Sequence, residues 1–310
     1  MIFESVWTYD KLWIKAKIYM QKAFNEDRDG DMFPFWSAIA LEFVARSALA
    51  SVHPVLLADP REGENILYVF GYHKKPLYSP VSIPTKTVLE RCAVVIANFT
   101  DNEKAFCKDI TTRRNEELHS GGLGFDSYPT SKWLSKYFKV IQILLEFQEK
   151  TLEDFLGNDE AKAAEEMIAK KDATLEKTIR ERISKHKKFF DGLKPAIKAE
   201  RIAKSKAEKW FASRHYRKDL TCPACANLGI LSGKLISIKE SIAGDSEIIQ
   251  NMNVLPTHFR CFCCDLELTN HSELDVIELG GQYKMEEIYD PREYYEIEED
   301  EEPDFDYGND

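Results

Sequence analysis

The sequence predicts a mainly α-helical protein that closes with a small β-rich module. Three observations point there. Through residues 1–156, apolar residues recur at three- and four-residue spacing. Residues 157–220 keep a helical pattern, but their apolar positions are sparse and Lys and Arg abound. From residue 221 the period becomes alternation, and two C-x-x-C pairs appear. A chain of 310 residues with 44% hydrophobic content can bury two cores, which excludes a wholly disordered protein. Its 14 Gly and 12 Pro are too few for a collagenous or Pro-rich linker chain.

The elements follow in order. YDKLWIKAKIYMQKAFNED (9–27) predicts a first helix, with Trp13, Ile14, Ile18 and Phe24 at helical spacing. FPFWSAIALEFVARSALASV (33–52) predicts a second, and Pro34 fits its first turn. Pro54, Pro60, Pro76, Pro80 and Pro84 mark a long connection with a short helix at 61–70. TKTVLERCAVVIANF (85–99) reads as a third helix. Thr100-Asp101 offers an N-cap for a helix over 101–119, and Ser120-Gly121-Gly122 ends it, because glycine tolerates the left-handed conformation past a helix end. SKWLSKYFKVIQILLEFQEKTLEDFL (131–156) is the strongest helix of the block. Four or five such helices make a bundle. Its aromatic residues read as core, with Tyr128 and Trp133 the ones placed to meet a nucleobase.

Residues 157–220 carry 18 Lys and Arg against 11 Asp and Glu, a net +7, with helices interrupted near Gly192 and Pro195. A solvated or packed connector and an RNA-contacting surface both fit this pattern. GILSGKLISI (229–238) and LELTNHSELDVIEL (266–279) read as strands within a β-rich region over 221–284. Residues 285–310 hold 13 acids and one Arg, net -12, and are expected to be disordered. Such a tail solubilises the chain, covers its own basic groove as an RNA mimic, or docks on a basic partner. The whole chain nets -11, so residues 1–284 net +1, and overall acidity is no argument against a polyanionic partner. Early acids (Glu4, Asp10) argue against a signal peptide, and apolar runs such as VIQILL (140–145) are too short for a bilayer. A cytoplasmic protein with no membrane partner is the expectation. No G-x-x-x-x-G-K or G-x-S-x-G motif is present.

Of seven cysteines, Cys92 and Cys107 fall in helical patterns and read as small buried apolar residues. The other five form two groups, Cys222-Pro-Ala-Cys225 and Cys261-Phe-Cys-Cys264. In a reducing compartment these are metal ligands before disulfides. Zn2+ takes four soft ligands in a tetrahedron, and each C-x-x-C turn presents two thiolates to one point. Cys222, Cys225, Cys261 and Cys264 are the candidate ligands, with Cys263 and His258 close enough in sequence to compete. The motifs TCPAC and RCFCCDLEL resemble the zinc-ribbon family. That resemblance implies a structural Zn2+, since four thiolates leave no position for a catalytic water. No catalytic metal is expected.

RRNEELHSG contains Arg114-Asn115-Glu116-Glu117-Leu118-His119, an R-N-x-x-x-H run. Together with its place before the last long helix of an all-α block, it resembles the signature of the HEPN superfamily. Glu42, in ALEFVARSAL, matches an acidic position often seen there. The resemblance covers the N-terminal half and implies a metal-independent endoribonuclease, a toxin or antiviral effector. Arg114 and His119 would be catalytic, Asn115 supporting and Glu42 a fourth member. It also implies a C2 homodimer in which two motifs line one cleft. An inhibitory or activating protein partner fits a nuclease that has to be kept silent. Arg180 to His186 satisfies a looser form of the spacing. On an ideal helix Arg114 and His119 stand ~140° apart, so one site takes both only if the helix ends, kinks or bulges there. His119 also reads as a cation favoured at a helix C-terminus. The alternative function is a non-enzymatic dimer module that binds nucleic acid or protein and carries a structural zinc ribbon. The expected organisation is thus a HEPN-like helical domain (1–156), a basic helical connector (157–220), a zinc ribbon (221–284) and an acidic tail (285–310).

Overall fold

The computed structural model describes residues 5–72, 78–126, 128–207, 216–243, 247–290 and 294. The protein is mainly α-helical, with a small antiparallel sheet towards its C-terminus, as its sequence predicts. The chain forms two compact units, 1–177 and 178–310, and the division falls inside one continuous helix.

The first unit contains α1 (Tyr9–Phe24), α2 (Met32–Val52), a 3-10 turn (Pro54–Leu57), α3 (Gly63–Val69), α4 (Thr85–Val95), α5 (Asp101–His119), α6 (Thr130–Phe147) and α7 (Leu152–Leu156). It ends with the first part of α8 (Asn158–Asp191). Helix α2 is the centre, packed by α1, α4, α5 and α6. Its length and composition suffice to cross a membrane, but most of it is buried in this core. Phe33 and Leu49 of α2 meet Trp133, Tyr137, Phe138 and Ile141 of α6 in one cluster. Two buried polar pairs tie these helices together. The Tyr137 hydroxyl donates to the Ser37 carbonyl (3.0 Å), and the Ser47 hydroxyl donates to Gln148 Oε1 (2.7 Å).

The long helix expected over 131–156 is two helices. Glu149 adopts φ 56, and the Lys150 N–H turns back to the Leu145 carbonyl, which closes α6. A reciprocal capping box between Thr151 and Asp154 then starts α7. The helix expected over 85–99 stops at Val95, where Ile96 takes an extended conformation.

Helix α5, which carries the R-N-x-x-x-H run, starts on a capping box between Thr100 and Glu103. It continues unbroken to His119. The following loop folds back on it: the Gly124 N–H donates to Glu117 Oε2 (2.9 Å), and Arg113 Nη1 donates to the Gly124 carbonyl (3.2 Å). A Cβ on Gly124 would stand 2.1 Å from the Arg113 carbonyl oxygen, so only glycine allows this approach.

The second unit contains the rest of α8, α9 (Pro195–Ala207), β1 (Arg217–Thr221), β2 (Leu228–Ala243), β3 (Glu247–Arg260), β4 (Glu267–Leu268), α10 (His271–Asp275) and β5 (Tyr283–Tyr289). The order is β1-β2-β3-β4, all antiparallel, with β5 also paired to β3. Strand β3, which the sequence pattern did not single out, is thus the hub of the sheet. The strand expected over 266–279 shrinks to β4, because the Asn270 side chain caps the Glu273 N–H and starts α10. The disorder expected over 285–310 does not hold for 285–289, which lie in β5 and pair with Ile248–Met252. Residues 291–293 and 295–310 lie outside the described residues.

Because α5 depends on its cap, Thr100→Ala should lower the stability of the first unit by about 1 kcal/mol. The measure is the urea midpoint at unchanged slope.

Candidate functional site

Two constellations gather chemistry-bearing side chains, one in each unit. In the first, Glu42 on α2 is shared by two guanidinium groups. Arg114 Nη2 on α5 donates to Glu42 Oε2 (2.7 Å), and Arg46 Nε, one turn along α2, donates to Glu42 Oε1 (2.9 Å). All three side chains are at most 16% exposed. Burial pushes the Glu42 carboxyl up, but the charges of Arg46 and Arg114, with hydrogen bonds from Thr85 and Arg46, hold it below the ordinary carboxylate range. Arg46 is otherwise occupied, donating to Ser82 Oγ and the Ile83 carbonyl. Arg114 is not: its Nε is buried and has no hydrogen-bond partner. The cluster therefore carries one net positive charge, with unused donor capacity on Arg114.

The structure brings Arg114 and Glu42 together and leaves Asn115 and His119 elsewhere on α5. Both of the latter are exposed, and their four-residue spacing puts them on one helix face. No kink or bulge separates Arg114 from His119, so the ~140° between them stands within one chain. Leu118 and Leu123, beside His119, are 50% and 61% exposed. Of the two aromatic residues placed to meet a base, Trp133 is a core residue, 1% exposed. Tyr128 stacks on it at 6.3 Å, and the Arg113 guanidinium lies 3.9 Å from the Tyr128 ring centroid. Arg46 escaped sequence reasoning, although its place four residues after Glu42 signals an i,i+4 ion pair.

The second constellation is made by two knuckles of the same form. The Cys222 N–H bonds the Asn227 carbonyl (2.8 Å), and the Cys261 N–H bonds the Leu266 carbonyl (2.9 Å). Each knuckle turns through a left-handed residue directly after its second cysteine, Ala226 (φ 58) and Asp265 (φ 59). The sulfurs of Cys222, Cys225, Cys261 and Cys264 lie within 4.8 Å of one another, a donor set that can hold one metal ion. Hydrogen bonding from Cys222 above all holds the Cys225 thiol below the ordinary thiol range. The hydrogen bonds from Cys222 and Cys225 hold Cys261 and Cys264 above theirs. A full set of thiolates in so small a volume needs a cation. Cys263 and His258 do not compete. The Cys263 sulfur turns to Ser205 Oγ (3.2 Å), and His258 Nε2 pairs with Glu267 (2.9 Å).

Helices of the same unit brace the second knuckle. His186 Nδ1 bonds the Cys264 carbonyl (2.7 Å), and Arg201 Nη1 donates to the Cys263 carbonyl (3.3 Å) and to Asp265 (2.8 Å). The His186 of the looser Arg180–His186 spacing is therefore part of this support.

Comparison with protein-family models, with curated proteins and with solved structures finds no match. The functional reading rests on the chain's own residues.

Glu42→Gln should cost about 3 kcal/mol, because it leaves two cations nearly buried around a neutral group. A carboxyl held low stabilises fully above its ordinary pKa of 4.5 and loses that contribution as pH falls through the folded value. The gap between wild type and Glu42→Gln, read by denaturation, should therefore close as pH drops below the ordinary carboxylate range.

Proposed function

We propose that the protein is a metal-independent endoribonuclease of the HEPN type, with a structural Zn2+ in a C-terminal zinc ribbon. The observation that carries this reading is the R-N-x-x-x-H run on α5, whose Arg114 is held by Glu42 with a buried Nε left unbonded. The reaction is transfer of phosphorus within RNA. The 2′-oxygen attacks the adjacent phosphorus and gives up its proton. The bond to the 5′-oxygen breaks, and that oxygen takes a proton, leaving a 2′,3′-cyclic phosphate and a 5′-hydroxyl. His119, an exposed imidazole at the end of α5, serves one of the two proton transfers. Arg114 supplies a fixed cation with planar donors for the charge that builds on the phosphoryl oxygens. Asn115, on the His119 face, orients the imidazole or donates to the phosphate.

Arg114 and His119 of one chain diverge, so the complete site belongs to a C2 homodimer that joins two α5 ends in one cleft. The exposed Leu118 and Leu123 are the apolar surface such a contact would cover. An unregulated enzyme of this kind would be toxic to its cell, which fits a toxin or antiviral effector acting in the cytoplasm and held by a protein partner. The engagement of Arg114 by Glu42 favours a second reading, in which the pair only fastens α5 to α2 and the protein is a binding module without catalysis.

Single substitutions separate the two. Arg114→Ala and His119→Ala should each slow cleavage of RNA by the purified protein about 100-fold or more. If both cleave as fast as wild type, the nuclease reading fails. His119→Ala is the sharper test, because His119 is exposed and its loss spares the core. Cys222→Ser or Cys261→Ser should abolish stoichiometric zinc, read by elemental analysis, and lower the melting temperature of the second unit.

A further inference from the structure

The sign of the charge changes along α8. Residues 158–177 carry four Lys against six Asp and Glu. Residues 178–205, on α8 and α9, carry nine Lys and Arg against three acids, a net +6. A solvated helix mixes its charges to gain i,i+4 pairs, and like charges at that spacing cost stability. Segregation within one continuous helix calls for a different cause.

The inner face of this segment is already used. Ile179, Arg182, Ile183, His186 and Phe190 recur at helical spacing and are buried or half-buried. Arg182 pairs with Glu273 (3.1 Å) and Arg201 with Asp265 (2.8 Å), so the inward cations are neutralised. Lys185, Lys188 and Lys194 are different. They are exposed and form no ion pair among the described residues. Lys185 stands three residues before Lys188 and four before Phe189, so the three share one patch. Phe189 is 43% exposed, with the Arg201 guanidinium 5.2 Å from its ring centroid. Unneutralised ammonium groups beside a partly exposed aromatic ring match the two surfaces of a single strand of nucleic acid, its phosphates and its bases.

We propose that the outer face of the C-terminal part of α8, continued by Lys194 in the turn before α9, is a single-stranded RNA-binding surface. Lys185, Lys188 and Lys194 contact phosphates, and a base stacks on Phe189. The surface does not rest on the nuclease reading, since it lies in the other unit and requires no cleavage.

The test uses the full-length protein carrying His119→Ala, so that the probe is not consumed, and fluorescence anisotropy of a labelled, mixed-sequence single-stranded RNA. Lys185→Glu/Lys188→Glu/Lys194→Glu should weaken binding about tenfold or more and reduce the slope of log affinity against log salt by about 2. The corresponding Lys→Gln triple should show the same direction with a smaller loss, and Phe189→Ala should weaken binding about fivefold or more. Lys170→Glu/Lys171→Glu, on the acidic part of α8, should leave binding unchanged. The proposal is overturned if the parent protein does not bind the RNA, if the triple variants bind with unchanged affinity and slope, or if the Lys170/Lys171 pair matters equally. Wild-type protein that binds the RNA but does not cleave it would count against the nuclease reading alone.

Discussion

One carboxylate has to satisfy two guanidinium groups at the place where α5 meets α2. Glu42 can ionise there only because Arg46 and Arg114 stand beside it, and they can be buried only because it is ionised. The arrangement fixes the angular position of α5. Once Arg114 is turned towards α2, helix geometry puts Asn115 and His119 on another face, and no break in α5 alters that. The same ion pair that orders the first unit therefore decides which motif residues can meet in one chain and which need a second copy.

The second unit obeys a different constraint. Its cysteine sulfurs come together because two turns, each closed by a bond from its first cysteine's N–H, lie at the ends of β2 and β3. Each turn forces a non-glycine residue into the left-handed region, at Ala226 and at Asp265. Such positions persist only where the surroundings over-determine them. Here the second knuckle is fixed from one side by the sheet and from the other by His186 and Arg201. The helices thus hold the carbonyl groups of the knuckle, while Lys185, Lys188 and Lys194 stay exposed.

Much of this was legible in the sequence where one local signal dominated. The α5 boundaries follow from Thr100-Asp101 and from Ser120-Gly121-Gly122, and the break between α8 and α9 follows from Gly192 and Pro195. The four sulfurs follow from two equal spacings, and Cys263 and His258 could be set aside only once their own partners, Ser205 and Glu267, were seen. Tertiary constraints were invisible. Periodicity ran straight through Gln148–Lys150, where a turn splits α6 from α7. Acidic composition hid β5, which gains its stability by pairing with β3. The Arg46 share in Glu42 and the burial of Trp133 likewise depend on which faces meet.

The charge order of α8 also acts on the helix itself. Asp159 and Glu160 occupy its first turn and Lys188 its last, so the acids sit at the positive end of the peptide macrodipole and the bases at the negative end. Between the two packed parts, residues 171–178 are exposed except for half-buried Leu175, and little apolar burial supports them. That stretch is held by backbone hydrogen bonding and by the Lys139–Asp172 ion pair (3.3 Å) rather than by a core. Because both partners of that pair are half-exposed, its share in holding this stretch weakens as ionic strength rises.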